Sequence, residues 1–386
     1  MYDKPMEEVF IMAAKRTPLG GYRGILKEVS APSLGGAAMA GALEVSSIAP
    51  EQVEQVVLGQ VLPAGAGQAP ARQAARAAGI PASTPAHGVA KVCASGMEAI
   101  TSCARMIRLG EARLAMAGGM ESMSRAPYLL PKDRAEERLD HMIFDGLICS
   151  SSGESMGALA EQVAKTCGFS RREQEAFAAR QLLRAKEATE GGIFASEIVP
   201  LATVRQVVQE DELPKRQDPE LFSRLKPIFS QDGTITAATS SKIADGAAAL
   251  VLAGESLLPS LAESPLARIV GWASHSQDPA WYVSAPVGAI GKLLERLRWR
   301  PQDADLWEIN EAFAISPLYV IRELRLDEAR VNIFGGACAL GHPLGVSGAR
   351  IVVTLLTGLA AMGARRGVAS ICAGGGEAMA LAVEMM

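Results

Sequence analysis

Four short stretches of the chain hold residue types that could do chemistry together. Cys93 lies in KVCASGMEA (91 to 99), Asn310 opens NEAFA (310 to 314), His342 lies in GGACALGHPLGVSGAR (335 to 350), and Cys372 opens CAGGGEA (372 to 378). A thiolate is a strong nucleophile, an imidazole moves protons near neutrality, and a carboxamide can hold a water or an oxyanion. The glycines and alanines around them leave room for a substrate and let backbone N–H groups approach it. Each stretch is weak alone. A cysteine in an apolar run commonly behaves as a small hydrophobe, and an asparagine or a histidine on a glycine-rich turn commonly caps or packs. Cys93 is the most telling, because it precedes a helical pattern with Ile100, Cys103, Ala104 and Ile107 on one face. At such a junction the helix N-terminus favours the thiolate, so a depressed Cys93 pKa is expected.

The elements that must position these residues read as α/β. Strands are expected at 8 to 14, 55 to 62, 88 to 92 and from 113 into AGGMESM (117 to 123). Helices are expected at 33 to 45, 72 to 78 and 95 to 109. From Ser124 the texture changes, with charge clusters at 132 to 140 and 170 to 188. A helix is expected at 171 to 188, and a polar loop at 211 to 227 carries Lys215, Arg216, Arg224 and Lys226. A strand resumes at 247 to 252, and a Pro-containing linker follows at 258 to 265.

The second half then repeats the first. Pro301 with its acidic turn echoes Pro50 at an offset of 251 residues, Ser347-Gly348 echoes Ser95-Gly96 at 252, and AGGGEAM (373 to 379) echoes AGGMESM at 256. The expected organisation is a first α/β half over 1–123, completed by 236–262, an inserted loop region over 124–235, and a second half over 266–386. The helix at 347 to 360 is apolar nearly all round, which marks it as buried. Packed beside its counterpart after Cys93, it would bring Cys93 and His342 into one neighbourhood.

Composition limits the alternatives. A chain of 386 residues with a formal net charge of -4 has no basic excess to suggest nucleic acid or an anionic membrane as partner. The start, MYDKPMEEVF, has neither a basic n-region nor an apolar h-region, which points to the cytoplasm. Six cysteines without C-x-x-C spacing read as free thiols, and Cys338 with His342 lacks the further ligands of a metal site.

Taken together, the four motifs resemble those of the thiolases, the acyl-CoA C-acyltransferases. The resemblance runs through GGMESMS (118 to 124), LKPIF (225 to 229) and DGAAALVL (245 to 252), and so covers essentially the whole chain. It implies a thiolase-like fold of two repeated α/β halves in layers around buried central helices. It also implies reversible Claisen condensation of acetyl-CoA, with thiolysis of 3-ketoacyl-CoA in reverse, and needs neither a metal nor a cofactor beyond CoA thioesters. By resemblance Cys93 becomes the acyl-enzyme, His342 takes its proton, and Cys372 exchanges a proton with the α-carbon. One oxyanion site uses a water on Asn310 with His342, and the other uses the N–H groups of Cys93 and Gly374. Pantetheine would run past Leu147, Met156, Phe229, Ala237 and Ser241, and Lys215 or Arg216 would meet a CoA phosphate. A homodimer or homotetramer is implied. Ser155 stands where short-chain members commonly have His, and Phe334 where Asn is often found, so the acyl-chain preference is left open between acetyl-CoA C-acetyltransferase and a 3-ketoacyl-CoA thiolase for longer chains. A ketoacyl synthase lacks a second catalytic cysteine, so Cys372 argues against it, and the intact set argues against a non-catalytic acyl-CoA-binding protein.

Overall fold

The structure, a computed structural model, describes residues 6–134 and 136–386. Its strands are β1 (Val9–Arg16), β2 (Gly20–Gly21), β3 (Gln55–Gly59), β4 (Ala86–Val89), β5 (Leu114–Ser122), β6 (Tyr128–Leu129), β7 (Leu139–Asp140), β8 (Leu201–Ala202), β9 (Val207–Val208), β10 (Ala244–Gly254), β11 (Ala267–Ser276), β12 (Leu306–Ile309), β13 (Arg366–Ala373) and β14 (Glu377–Met385). The helices are α1 (Ala31–Ser46), α2 (Pro70–Ala77), α3 (Ser95–Arg108), α4 (Met156–Thr166), α5 (Arg171–Glu190), α6 (Ala285–Leu297), α7 (Ile315–Leu324), α8 (Ala337–Leu340) and α9 (Leu344–Met362).

Strand order repeats with the sequence. In the first half β3 runs parallel to β5, and β5 pairs antiparallel with β10, which pairs antiparallel with β1. In the second half β12, β13, β14 and β11 stand in the same relations. The halves join through a short antiparallel contact of β1 with β11, Phe10 opposite Arg268 and Ile11 opposite Ala267. Because helices cover both faces of these strands, β5 and β10 are buried at every position and read as continuous runs rather than alternations.

Helices α3 and α9 lie between the halves, in a core built from both sets of strands. They touch almost backbone to backbone. A Cβ at Gly96 would stand 2.8 Å from the Ala349 nitrogen, and one at Gly348 would stand 2.6 Å from the Met97 nitrogen. The repeated Ser-Gly pair is therefore a crossing point that only glycine fits. Helix α9 is long and apolar enough to cross a membrane by composition, but 83% of that stretch is buried inside the fold. It begins at Leu344, three residues before the expected start, and ends at Gly363 in the left-handed region.

Residues between β5 and β10 form the inserted region. It carries helices α4 and α5, the latter opened by a Ser170/Glu173 capping box, together with two short hairpins. Its tie to the sheet is a buried ion cluster. Arg16, fully buried at the end of β1, gives two hydrogen bonds to Asp211 at 2.7 and 2.8 Å and one to Glu197 at 2.5 Å.

Candidate active site

The turn carrying Cys93 follows β4 and is held under backbone strain. Val92 sits at φ 46, a region costly for a β-branched residue by about 1–3 kcal/mol. Ser95 holds the turn closed: its hydroxyl accepts from the Lys91 N–H at 2.8 Å and donates to the Val92 carbonyl at 2.7 Å. Helix α3 starts only at Ser95, and the N–H groups that reach the Cys93 sulfur are its own and that of Gly374. The expectation of a depressed pKa is corrected here. Burial outweighs both N–H groups and pushes the Cys93 thiol up to about 12, with the Glu121 carboxylate adding to the rise. A thiol in that state needs a base before it can act as a nucleophile.

His342 sits at the mouth of α9. Its N–H donates to the Lys242 carbonyl at 2.8 Å, and Leu344, two residues on, packs in the same cluster as Cys93. The ring Nδ1 lies 2.5 Å from the Ser347 hydroxyl, which in turn donates to the Pro343 carbonyl at 3.1 Å. Since that donation uses the hydroxyl proton, the network assigns the hydrogen to Nδ1 and leaves Nε2 as a lone pair. Nε2 is buried and has no protein partner among the described residues. Burial, with the Arg350 charge in support, lowers the His342 pKa to about 3, so the ring is neutral.

Asn310 and Cys372 arrive from neighbouring strands of the second half. β12 and β13 run parallel with Ile309 opposite Ser370, and the Asn310 N–H donates to the Ser370 carbonyl at 2.9 Å. Asn310 is 1% exposed, and neither its amide nitrogen nor its amide oxygen has a protein partner among the described residues. A buried amide in that state is a seat for water. Cys372 is equally buried, and its thiol is pushed up to about 12 by burial and by Cys93, against the lowering effect of the nearby Ser316 hydroxyl. The two sulfurs are close enough that both act on the buried Tyr282 phenol, whose hydroxyl donates to the Met156 carbonyl at 2.9 Å.

Two carboxylates hold the loops in place. Glu121, fully buried, accepts from the N–H groups of Val61 (2.9 Å), Leu62 (3.2 Å) and Gly345 (2.9 Å), and burial raises its pKa to about 7. Glu311 accepts from Asn332 at 2.8 Å and from the Cys338 N–H at 3.0 Å, and so anchors the segment leading to His342. Lys242 gives its ammonium to the carbonyls of Ala238, Ser240 and Cys338, and Cys338 itself packs in the core.

Around the sulfurs lie most of the residues expected along pantetheine. Leu147 packs in the Cys93 cluster, and Met156 and Phe229 in the Cys372 cluster. Phe229 meets Phe313 edge to face at 5.7 Å and covers Gly157. Ala237 is exposed, and the half-buried Ser241 donates its N–H to the Ala312 carbonyl at 3.0 Å. Lys215 and Arg216 stand apart on an exposed turn, paired with Glu210 and Glu212. Arg216 also lines a surface cavity of about 640 Å³ with Arg23, Lys27 and Arg205, which none of the cysteines or His342 enters. Ser155 caps α4 by accepting from the Ala158 N–H at 3.2 Å, and Phe334 packs edge to face on Phe194.

Sequence reasoning missed Ser347, Ser316, Tyr282 and the bonding of Glu121. Ser347 was readable, since it lies five residues after His342 at the start of a helix. Tyr282 and Ser316 carried no signal, because only tertiary packing brings them to Cys372.

Two cysteines from opposite halves, a neutral histidine with an open Nε2 and converging N–H groups define a thiol-based acyl-transfer site. The chain belongs to the thiolase family. The family model "Thiolase, N-terminal domain" matches residues 9–256 and "Thiolase, C-terminal domain" matches residues 263–385. The chain is 42% identical to an acetyl-CoA acetyltransferase of Allochromatium vinosum, covering 98% of this chain and 100% of that one. It is 43% identical to one of Pseudomonas aeruginosa, over 97% and 99%. A thiolase of Ascaris suum solved in complex with coenzyme A superposes with TM-score 0.94 at 40% identity, over 98% of this chain and 100% of that chain. The Bacillus anthracis acetyl-CoA acetyltransferase superposes with TM-score 0.95 at 37% identity, over 99% and 100%.

Proposed function

We propose that this chain is an acetyl-CoA C-acetyltransferase that joins two acetyl-CoA molecules through an acetyl-Cys93 intermediate and cleaves 3-ketoacyl-CoA in reverse. The observation that carries the reading is the meeting of Cys93 with Gly374 and Cys372 across the two halves. The Cys93 thiol gives its proton to His342 Nε2 as its sulfur attacks the thioester carbonyl, and the N–H groups of Cys93 and Gly374 hold the oxyanion. The departing CoA thiolate takes the Cys372 proton. Acetyl-Cys93, a Cys372 thiolate and an imidazolium remain. Cys372 then removes an α-proton from the second acetyl-CoA, and the enolate oxygen is held by His342 Nε2–H and a water on Asn310. The carbanion attacks the acetyl carbonyl, and the Cys93 thiolate leaves and recovers its proton from His342. Both thiols and the neutral ring are restored.

In this reading no metal and no cofactor beyond the CoA thioesters is required. We place the enzyme in the cytoplasm, in fatty acid metabolism, as a homodimer or homotetramer, with pantetheine along Leu147, Met156, Phe229, Ala237 and Ser241. Lys215 and Arg216 remain the residues proposed for phosphate, which would compete with Glu210 and Glu212. Ser155 is occupied in capping α4 and Phe334 in packing on Phe194, so neither supports a preference for longer chains. Mass spectrometry after incubation with acetyl-CoA tests the reading. A thioester-linked acetyl group is expected on Cys93, absent in Cys93→Ala and present in Cys372→Ser, while carbon–carbon bond formation is lost in both. An acetyl group that persists in Cys93→Ala overturns it.

A further inference from the structure

Residues 374 to 376 turn the chain from β13 into β14, and all three are glycine, with Gly375 and Gly376 at φ 85 and 83. No residue of that turn has a side chain with which to fix it against the first half. Yet the Gly374 N–H must meet the sulfur of Cys93, which belongs to the first half. The first residue after the turn is Glu377, registered opposite Ala373, and its carboxylate pairs with the Lys91 ammonium. Lys91 begins the strained Cys93 turn. Its N–H donates to Ser95 and its carbonyl accepts from the Ala94 N–H at 3.0 Å. The ion pair thus joins the two segments whose N–H groups converge on Cys93.

The sequence repeat gives the pair a counterpart. Glu377 in AGGGEAM occupies the place of Glu121 in AGGMESM, and Gly345 occupies the place of Cys93, each set by the repeat. Glu121 reaches across to the Gly345 N–H at the start of α9, and Glu377 reaches across to Lys91 at the approach to α3. Each carboxylate clasps the start of the other half's central helix. One difference separates them: Glu121 is fully buried, whereas the Lys91 and Glu377 side chains are 24% and 35% exposed. Ion pairs in such surroundings contribute little to stability. Their effect is on geometry.

We propose that Lys91 and Glu377 are a positioning pair that sets the Gly374 N–H against the Cys93 N–H and so fixes the width of the oxyanion site shared by the two halves. This rests on the acetyltransferase reading above. Lys91→Met, Glu377→Gln, the double variant and Lys91→Arg are compared with the unaltered chain by rapid-quench mass spectrometry of Cys93 acetylation. Each single loss is expected to slow acetylation about fivefold, with KM for acetyl-CoA within about twofold and Tm within about 3 °C. The double variant is expected to be no slower than either single one, because the two act as one unit. Lys91→Arg is expected to keep most of the rate. Single variants that acetylate at the unaltered rate, a double variant slowed by the product of the single effects, or Lys91→Arg slowed as far as Lys91→Met would overturn the pairing. If the unaltered chain takes no acetyl group on Cys93, the acetyltransferase reading falls, and the pair's role with it. If it acetylates normally beside unaffected variants, the pairing alone falls.

Discussion

The two halves share a four-strand arrangement and diverge most at the exit from the strand that follows the central helix. In the second half β13 passes through three glycines straight into β14. In the first half β5 continues through Glu121 and Ser122, and residues 123 to 243 intervene before β10. The short exit follows Cys372 near the end of β13 and carries the Gly374 N–H on a tight turn close to the Cys93 sulfur. The long exit supplies α4, the π-helical turn at Met142–Leu147 and the loop bearing Phe229, which wall in the same sulfurs. One repeat therefore contributes a cysteine and a backbone N–H at a place where the other contributes apolar cover.

That comparison can be broken at Glu121. Glu121→Ala strands three backbone N–H groups in a buried site and should cost about 3 kcal/mol of stability, read as a fall in the urea midpoint. Its counterpart Glu377 should cost little stability and some rate, so equal stability losses at both positions would mean that the halves are not divided in this way. Ser347→Ala comes next. Without the Nδ1 partner the imidazole loses its fixed tautomer, and kcat should fall about ten- to hundredfold, with Ser347→Thr retaining much of the rate. The first half has Ser95 at the equivalent place, where it closes the Cys93 turn. Ser95→Ala should instead loosen that turn and lower the acetylation rate.

The helix crossing sharpens the symmetry between the halves. Gly348→Ala places a methyl group 2.6 Å from the Met97 nitrogen and should destabilise by about 2 kcal/mol, and Gly96→Ala, against Ala349, should do nearly the same. Thermal unfolding of the two variants checks this.

Changes of pH act on each half through one buried group. His342 has a pKa of about 3 when folded, below its ordinary 6.5. The unfolded chain therefore takes up the proton first, and stability is lost as pH falls from 6.5 toward 3. Glu121, raised to about 7, has the opposite sign: its contribution is full below 4.5 and is lost as pH rises through 7. Urea midpoints measured against pH should show a shallower acid fall in His342→Gln and a shallower fall above pH 4.5 in Glu121→Gln.

Much of this architecture was legible before any coordinates. The repeat, the helix at 95 and the buried helix near 347 are local patterns, and Ser-Gly at equivalent places marked the crossing. Helices α4, α6 and α7 were not read, although α6 buries one face through Ala285, Ala289, Ile290, Leu293 and Leu294 and leaves Lys292, Glu295 and Arg296 exposed. The site was legible as four motifs whose residue types suit acyl transfer. Its electrostatics was not: Cys93 and Cys372 are raised and His342 is lowered by desolvation, which depends on what packs around them from distant parts of the chain.

The sequence by itself determined the two-fold plan, the candidate side chains Cys93, Asn310, His342 and Cys372, and the glycines that let backbone approach them, because these follow from residue type and local spacing. Only the tertiary structure decided which N–H groups face Cys93 and that Glu121 and Glu377 clasp opposite halves. Those facts depend on groups separated by more than two hundred residues in the chain, such as Glu121 and Gly345 or Lys91 and Glu377. Their meeting is set by the packing of α3 on α9, and no local pattern encodes it.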